Sequence, residues 1–269
     1  MSLRKYSYYL ASIVKLMTGI KPWPRVLKVF LRLSAPELQL IELRDSGLRF
    51  QTRGVMDIWS VKETFLDRFY ERFGTTVGKG WTVMDIGGGI GDFTIFAAHR
   101  NPENMVYAFE PTPQSFALLQ ENLHLNGVNN VQAFPEAIWS ENGTLAIDTS
   151  IGEPGQFTSH QVEGLTSAKD GQVLVPSISL ADAFSHLGDG RCDLMKMDCE
   201  GAEYDILFSA PDEVLERIDR LVMEYHDSVT SYTHKDLAAF LTQKGFQVES
   251  FPNFVHADLG YLRATRIPN

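Results

Sequence analysis

The sequence predicts an α/β domain on a mostly parallel, seven-stranded sheet. Two observations predict it. After residue 80, short apolar runs alternate with amphipathic segments, the pattern of strands covered by helices on both faces. The first of these runs also feeds directly into a glycine turn, D-I-G-G-G-I-G at 85–91, the strand-to-helix turn at which such sheets bind ligands. Composition agrees: 269 residues, 44% hydrophobic and 22% charged, suit an ordinary globular protein with a sizeable core.

The elements follow in order. Residues 6–33 read as two helical pieces split at Lys21-Pro22-Trp23-Pro24. Leu10, Ile13, Val14 and Met17 have helical spacing, as do Val26, Leu27, Phe30 and Leu31. Residues 39–56 alternate about Asp45-Ser46-Gly47, a β-hairpin pattern. Residues 60–73 read as a helix with Ser60 and Glu63 forming a capping box. Together 1–75 form an extension ahead of the main domain at 76–269. Strands are expected at 81–87, 104–110, 131–138, 193–198, 219–225, 245–251 and 259–265, and helices at 92–100, 113–126, 201–209 and 233–244. The segment 143–180 inserts a hairpin, T-L-A-I-D and Q-V-L-V-P-S-I-S-L, around a polar stretch at 150–171. Long loops inside compact domains are usually functional or disordered, so this one is a candidate lid over the substrate.

Charge is segregated. The net charge is −10, yet residues 1–36 hold Arg4, Lys5, Lys15, Lys21, Arg25, Lys28 and Arg32 with no acid. The remainder has 17 basic against 34 acidic residues. An acidic body argues against nucleic acid, whose binding rests on Lys and Arg. The basic segment reads either as a cap or homo-oligomer contact, or as an amphipathic stretch facing a membrane surface or partner. No apolar run approaches the roughly 18–20 residues that span a bilayer, and no signal peptide is expected. Cys192 and Cys199 are the only cysteines and form no C-x-x-C. That suggests a reducing compartment, so a cytoplasmic protein is expected.

The glycine turn departs from the dinucleotide fingerprint G-x-G-x-x-G. Gly87, Gly89 and Gly91 are spaced by two, and Asp92 takes the third slot. Asp85 would oppose a pyrophosphate and suits a ligand with an ammonium group. Glu110, at the end of the second strand, is placed to accept hydrogen bonds from ribose hydroxyls. Glu136-Ala137, ending the third strand, would lie near an adenine. A nucleoside joined to an amino acid without phosphate points to S-adenosylmethionine.

These residues resemble a class I S-adenosylmethionine-dependent methyltransferase and, more narrowly, the FkbM family. That family's pattern is D-x-G-A-N-x-G, an E-P pair after the second strand, and K-x-D-x-E-G-x-E at the fourth. Here these read D-I-G-G-G-I-G, Glu110-Pro111 and K-M-D-C-E-G-A-E (196–203), with M-E-Y-H (223–226) at the fifth strand. Gly88-Gly89 replaces the usual Ala-Asn. The resemblance implies a Rossmann-like class I methyltransferase fold with an antiparallel last strand. It also implies methyl transfer to a hydroxyl of a secondary metabolite, sugar or glycan.

Asp198, Glu224 and His226 fall at the carboxyl edge of the central strands, where open sheets bind ligands, and Asp198 or His226 is the candidate general base. Glu200 and Glu203 read equally as acids favoured in a first helical turn. His226 could be a structural histidine. Lys196 shares a strand face with Asp198, so an ion pair is conceivable. An oxygen-rich divalent-metal site is the less favoured alternative. A nicotinamide oxidoreductase and a non-catalytic S-adenosylmethionine-binding module are the competing functions.

Overall fold

The computed structural model describes residues 3–31, 33, 38–73, 75–148, 158–161, 170–227, 229–253 and 258–268. The expected lid at 150–171 lies outside the described residues apart from 158–161, 170 and 171.

The N-terminal segment begins with helix α1 (Leu3–Gly19), strand β1 (Ile20–Lys21) and helix α2 (Trp23–Phe30). Strands β2 (Gln39–Leu43) and β3 (Arg49–Thr52) form the expected hairpin, and β1 pairs with β2 in a three-stranded antiparallel sheet. Helix α3 (Val55–Val61) follows, continues as a π-helical turn over Lys62–Leu66, and leads to α4 (Phe69–Arg72). The expected capping box does not form. Ser60 lies inside α3, whose N-cap is Gly54. No side-chain cap closes this helix. Instead Asp57 in its first turn accepts from the Arg53 backbone N–H at 2.7 Å and from the Arg53 guanidinium at 2.9 Å, which fixes the chain just ahead of the helix start.

The main domain contains strands β4 (Thr82–Ile86), β5 (Met105–Phe109) and β6 (Val131–Phe134). Helices α5 (Asp92–Arg100) and α6 (Pro113–Leu125) connect them, the second with Pro at its first position. The expected third strand breaks at Pro135. Its second half, β7 (Ala137–Trp139), joins a separate sheet with β8 (Gly143–Asp148), β9 (Thr158–Gln161) and β10 (Gln172–Ser179), ordered β7-β10-β8-β9. A short helix α7 (Leu180–Ser185) is N-capped by Ser179. Strand β11 (Leu194–Met197), helices α8 (Glu203–Ser209) and α9 (Asp212–Leu215) and strand β12 (Arg220–His226) come next. Helix α10 (His234–Gln243), started by a Thr233–Asp236 capping box, precedes strands β13 (Phe246–Pro252) and β14 (Leu259–Arg266).

The large sheet is ordered β13-β14-β12-β11-β4-β5-β6, and β14 alone runs antiparallel to its neighbours. Alternation sends successive side chains to opposite faces. Met84, Ile86, Tyr107, Phe109, Met195 and Met197 pack on the face covered by α7 to α10. Val83, Val106, Leu194 and Val222 pack on the other face, beneath α5. Asp85 and Lys196 share the parity of Val83 and Leu194. Both are therefore carried into the interior under α5.

The N-terminal segment is seated on the main domain. Leu16, Ile20, Val26, Ile41 and Phe50 share one apolar cluster with Ile90, Ile95 and Leu118. The side chains of Asn122 on α6 and of its C-cap Asn126 accept from the Gln51 and Arg49 backbone N–H groups of β3, at 2.7 and 2.8 Å. This fixes α3 and the π-helical turn above the carboxyl edge of the large sheet.

Candidate active site

Two features meet at that edge: the glycine turn after β4 and the loop after β11. The Gly87 and Gly88 backbone N–H groups donate to the Phe109 carbonyl of β5 at 3.0 and 2.9 Å. Gly87 has φ +78°, and a Cβ there would stand 2.0 Å from the Asp198 carbonyl oxygen. The turn and the β11 loop can touch only because no side chain intervenes. Gly89 differs: its φ is +54°, and a Cβ would meet nothing within 4 Å. It faces open space.

That space is a cavity of about 420 Å³. One wall is the turn and the end of β5, with Gly87, Gly89, Glu110 and Thr112; another is β7 and β8, with Ala137, Ile138 and Leu145. The roof is α3 and the π-helical turn, with Trp59, Glu63 and Thr64. The far end holds Asp198, Glu200, Glu224 and His226 beside Phe69, Tyr70 and Tyr261. Nearly every element ending at this edge supplies a side chain.

Among the expected cofactor residues, Gly87, Gly89, Glu110 and Ala137 line the cavity. Gly91 instead caps α5 with φ +86°, and a Cβ there would come 3.2 Å from the Leu119 side chain. Glu136 and Asp85 are not among the lining side chains. Asp85 is fully buried below the turn. Its neighbour across the β4–β11 register is Lys196, whose Nζ lies 3.1 Å from one carboxylate oxygen and donates to the Gly87 carbonyl at 2.7 Å. Thr94 of α5 donates to the other oxygen at 2.5 Å. The ion-pair partner of Lys196 is thus Asp85 rather than Asp198. Burial works against the lysine charge, but Asp85, then Asp198 and Asp92, hold that ammonium above its ordinary range. A buried charge stands only with such partners.

Glu110 is buried, and its carboxylate accepts from the Gly89 N–H at 2.8 Å and from the Thr112 N–H at 2.9 Å. Burial raises its pKa against these hydrogen bonds. An ionised carboxylate has about four acceptor positions, so capacity toward the cavity remains.

The far end is crowded with carboxyl groups. Burial pushes Glu63 up to about 7, partly offset by Lys62. Burial and then Asp198 push Glu200 up to about 7 and Glu224 well above the usual range. Asp92, in the slot where a dinucleotide fingerprint has glycine, is raised by burial and accepts from Thr64 at 2.5 Å. Tyr261 donates to Glu224 at 2.9 Å. His226 Nε2 lies 3.3 Å from Glu200 and Nδ1 lies 3.8 Å from Glu203. Burial disfavours the ring's charge, but Glu203, then Asp198 and Glu200, outweigh it and push His226 up to about 9. Glu203 itself is buried and accepts from the Cys199 and Gly201 N–H groups at 2.7 and 2.9 Å, tying the loop together. Glu200 sits in that loop at φ +54°, in the left-handed region, where a non-glycine residue carries strain.

Asp198, Glu224 and His226, the expected catalytic group, do come together: each offers a donor atom, all within 4.8 Å of one another. Sequence reasoning missed Asp92, Tyr70 and Tyr261 as lining residues. It read Glu63 as the acid of a capping box with Ser60. No periodicity marks a π-helical turn, which often occurs at functional sites.

Comparison with known proteins fits this geometry. The model for the methyltransferase FkbM domain matches residues 85–248. A protein named Methyltransferase 1 from Beauveria bassiana is 31% identical over 203 residues, 70% of this chain and 80% of its own. The 31-O-demethyl-FK506 methyltransferase FkbM of Streptomyces tacrolimicus is 27% identical over 76% of this chain and 88% of its own. The 2-O-methyltransferase NoeI of Sinorhizobium fredii is 27% identical over 69% and 80%. Among solved structures, the methyltransferase FkbM of Methylobacillus flagellatus superposes with a TM-score of 0.52 at 16% identity, over 72% of this chain and 46% of that one. The nicotinamide alternative is displaced by these matches. With a cavity at the carboxyl edge of a class I sheet and motifs that align from residue 85 onward, this chain belongs to the FkbM family of S-adenosylmethionine-dependent methyltransferases.

Proposed function

We propose that the chain methylates a hydroxyl group on a small molecule, sugar or glycan. The observation that carries this reading is the acidic lining of the cavity. Burial raises the pKa of Glu63, Asp92, Glu110, Glu200 and Glu224, and an arriving cation would draw these carboxyl groups back into their charged form. Glu63, Asp92, Glu110, Asp198, Glu200 and Glu224 line it, against Lys196 and His226, while Arg53 is spent on Asp57. Such a cavity favours cationic ligands over phosphorylated ones. S-adenosylmethionine fits: it bears an ammonium and a sulfonium group, and when bound it supplies an electrophilic methyl group.

In this reading Glu110 accepts from the ribose hydroxyls, the bare face of Gly89 admits the nucleoside, and Ala137 and Ile138 flank the base. The ammonium group is received by acids that line the cavity, Glu63 and Asp92 among them. Asp85 acts one layer down, by fixing Lys196 and through it the Gly87 carbonyl. At the far end the acceptor hydroxyl is oriented by Asp198 and Glu224, since aligning reacting atoms supplies a large share of the rate. His226, pushed up to about 9, is an imidazolium at neutral pH in the free protein. The hydroxyl proton therefore passes to the Asp198 carboxylate, and His226 holds the surrounding negative charge in place. The 31-O- and 2-O- positions in the relatives' names support oxygen as the acceptor atom.

Titration calorimetry with S-adenosylhomocysteine tests the site. One equivalent should bind, and Glu110→Ala should weaken it at least tenfold. Binding of NADH instead, or full affinity in the variant, would refute the assignment. Asp198→Asn should retain cofactor affinity while losing turnover on a hydroxyl acceptor.

A further inference from the structure

The N-terminal segment carries a feature the methyltransferase reading does not use. Most of the large apolar side chains left exposed in the described structure lie between residues 10 and 40: Leu10, Ile13, Val14, Met17, Leu31, Leu33, Leu38 and Leu40. The first four stand at i, i+3, i+4 and i+7 on α1, so they form one stripe. Leu10 is 64% exposed and Val14 59%. A helix normally turns such a stripe inward.

Here the helix cannot turn. Its adjacent face is occupied: Ser12 and Leu16 are buried, and Ile20 of β1, just past its end, is buried with Leu16 in the cluster shared with the main domain. A Cβ at Gly19 would come within 2.6 Å of Leu66, so the backbone is pressed onto the π-helical turn. Lys15 adds an ion pair to Asp67 at 2.5 Å. The body thus holds the apolar stripe outward.

The charge of the segment itself is equally one-sided, although Lys15 and Lys21 are paired with Asp67 and Glu42 outside it. All seven charged residues of 1–36 are basic. Arg25 and Lys28 on α2, which packs against α1, are exposed and have no ion-pair partner among the described residues. The rest of the chain is strongly acidic. A surface that is apolar and basic on an otherwise acidic protein complements an anionic lipid surface. It would also turn every other face away from that surface.

We infer that α1 and α2 form a peripheral membrane-docking face for anionic lipid, with Leu10, Ile13, Val14 and Met17 entering the headgroup boundary and Arg25 and Lys28 at its rim. No helix among the described residues is long and apolar enough to cross a membrane, so the association is interfacial. Since α1 packs on the turn that carries Glu63, docking would bring the catalytic cavity close to the bilayer.

The test is co-flotation of the full chain with vesicles of phosphatidylcholine alone and with about one-third phosphatidylglycerol. The chain should float with the anionic vesicles and not with the neutral ones. About 1 M NaCl, which cuts the screening length to about 3 Å, should weaken flotation strongly. Val14→Glu with Met17→Glu should abolish it, and Arg25→Gln and Lys28→Gln should each weaken it about fivefold. These variants should bind S-adenosylhomocysteine as the parent does, which shows them folded. Two results would overturn the inference. One is no recovery with anionic vesicles. The other is a dimer by light scattering that Val14→Glu with Met17→Glu splits, without vesicle binding; the stripe would then be a contact between copies of this chain.

Discussion

If Asp85 supports the site through Lys196, removing either partner should damage stability before it damages binding. The two groups are 3.1 Å apart and essentially excluded from water. At an effective dielectric constant near 20, that separation corresponds to about 5 kcal/mol of attraction. Deleting one partner of a buried pair typically costs about 3–5 kcal/mol, because the other charge is left stranded. For 269 residues, unfolding entropy of about 0.6 kcal/mol/K converts about 4 kcal/mol into a loss of roughly 7 °C in melting temperature. Asp85→Asn and Lys196→Met should each show a loss of this size by scanning calorimetry and urea unfolding. The double variant should lose clearly less than the sum, by at least about 2 kcal/mol. Calorimetric titration with S-adenosylhomocysteine, run well below the lowered melting point, should show a smaller change in affinity than in stability. Strictly additive losses would refute the pairing. A stable Asp85→Asn protein with affinity reduced a hundredfold would return Asp85 to the cavity as a direct cofactor ligand.

Other outcomes follow from the same geometry. Gly87→Ala should fold poorly or not at all, since its Cβ would meet the Asp198 carbonyl at 2.0 Å, whereas Gly89→Ala should fold and lose cofactor affinity, its Cβ pointing into open space; thermal melts and titration together separate the two. Because His226 is raised from 6.5 to about 9 in the fold, its contribution to stability is whole below about pH 6.5 and is lost as pH rises through 9. The gross contribution is about 3 kcal/mol, and His226→Gln should flatten the stability profile in that window. Glu63, raised to about 7, must lose its proton to receive a cation. Affinity for S-adenosylmethionine should therefore climb between pH 6 and 8 with proton release in calorimetry, and Glu63→Gln should reduce both.

The sheet was legible because its central strands are covered on both faces. That leaves apolar runs such as L-M-K-M and M-V-Y-A-F that admit few other readings. The third strand was legible only in part. Nothing before Pro135 says that the chain leaves one sheet there and that Ala137 begins another. The glycine turn announced a ligand site, since Gly87 and Gly89 hold conformations that side chains resist. What stayed hidden was pairing between distant segments. That Asp85 faces Lys196 depends on the register of β4 against β11, which the local sequence does not state. Parity alone joined Lys196 to Asp198, a neighbour along the strand, and missed the one across it. Glu63 was read as a helix-capping residue because capping is a local signal, whereas the structure puts it in the π-helical turn. Its burial depends on the N-terminal segment folding back over the sheet.

The close approach of Gly87 to the Asp198 backbone welds the donor side of the cavity to the acceptor side. A shift in one drags the other, so, on the proposed assignment, the scaffold sets the path along which a methyl group would travel. Diversification toward new acceptors is thereby pushed toward the half-buried Phe69, and away from Tyr261, which is buried and tied to Glu224.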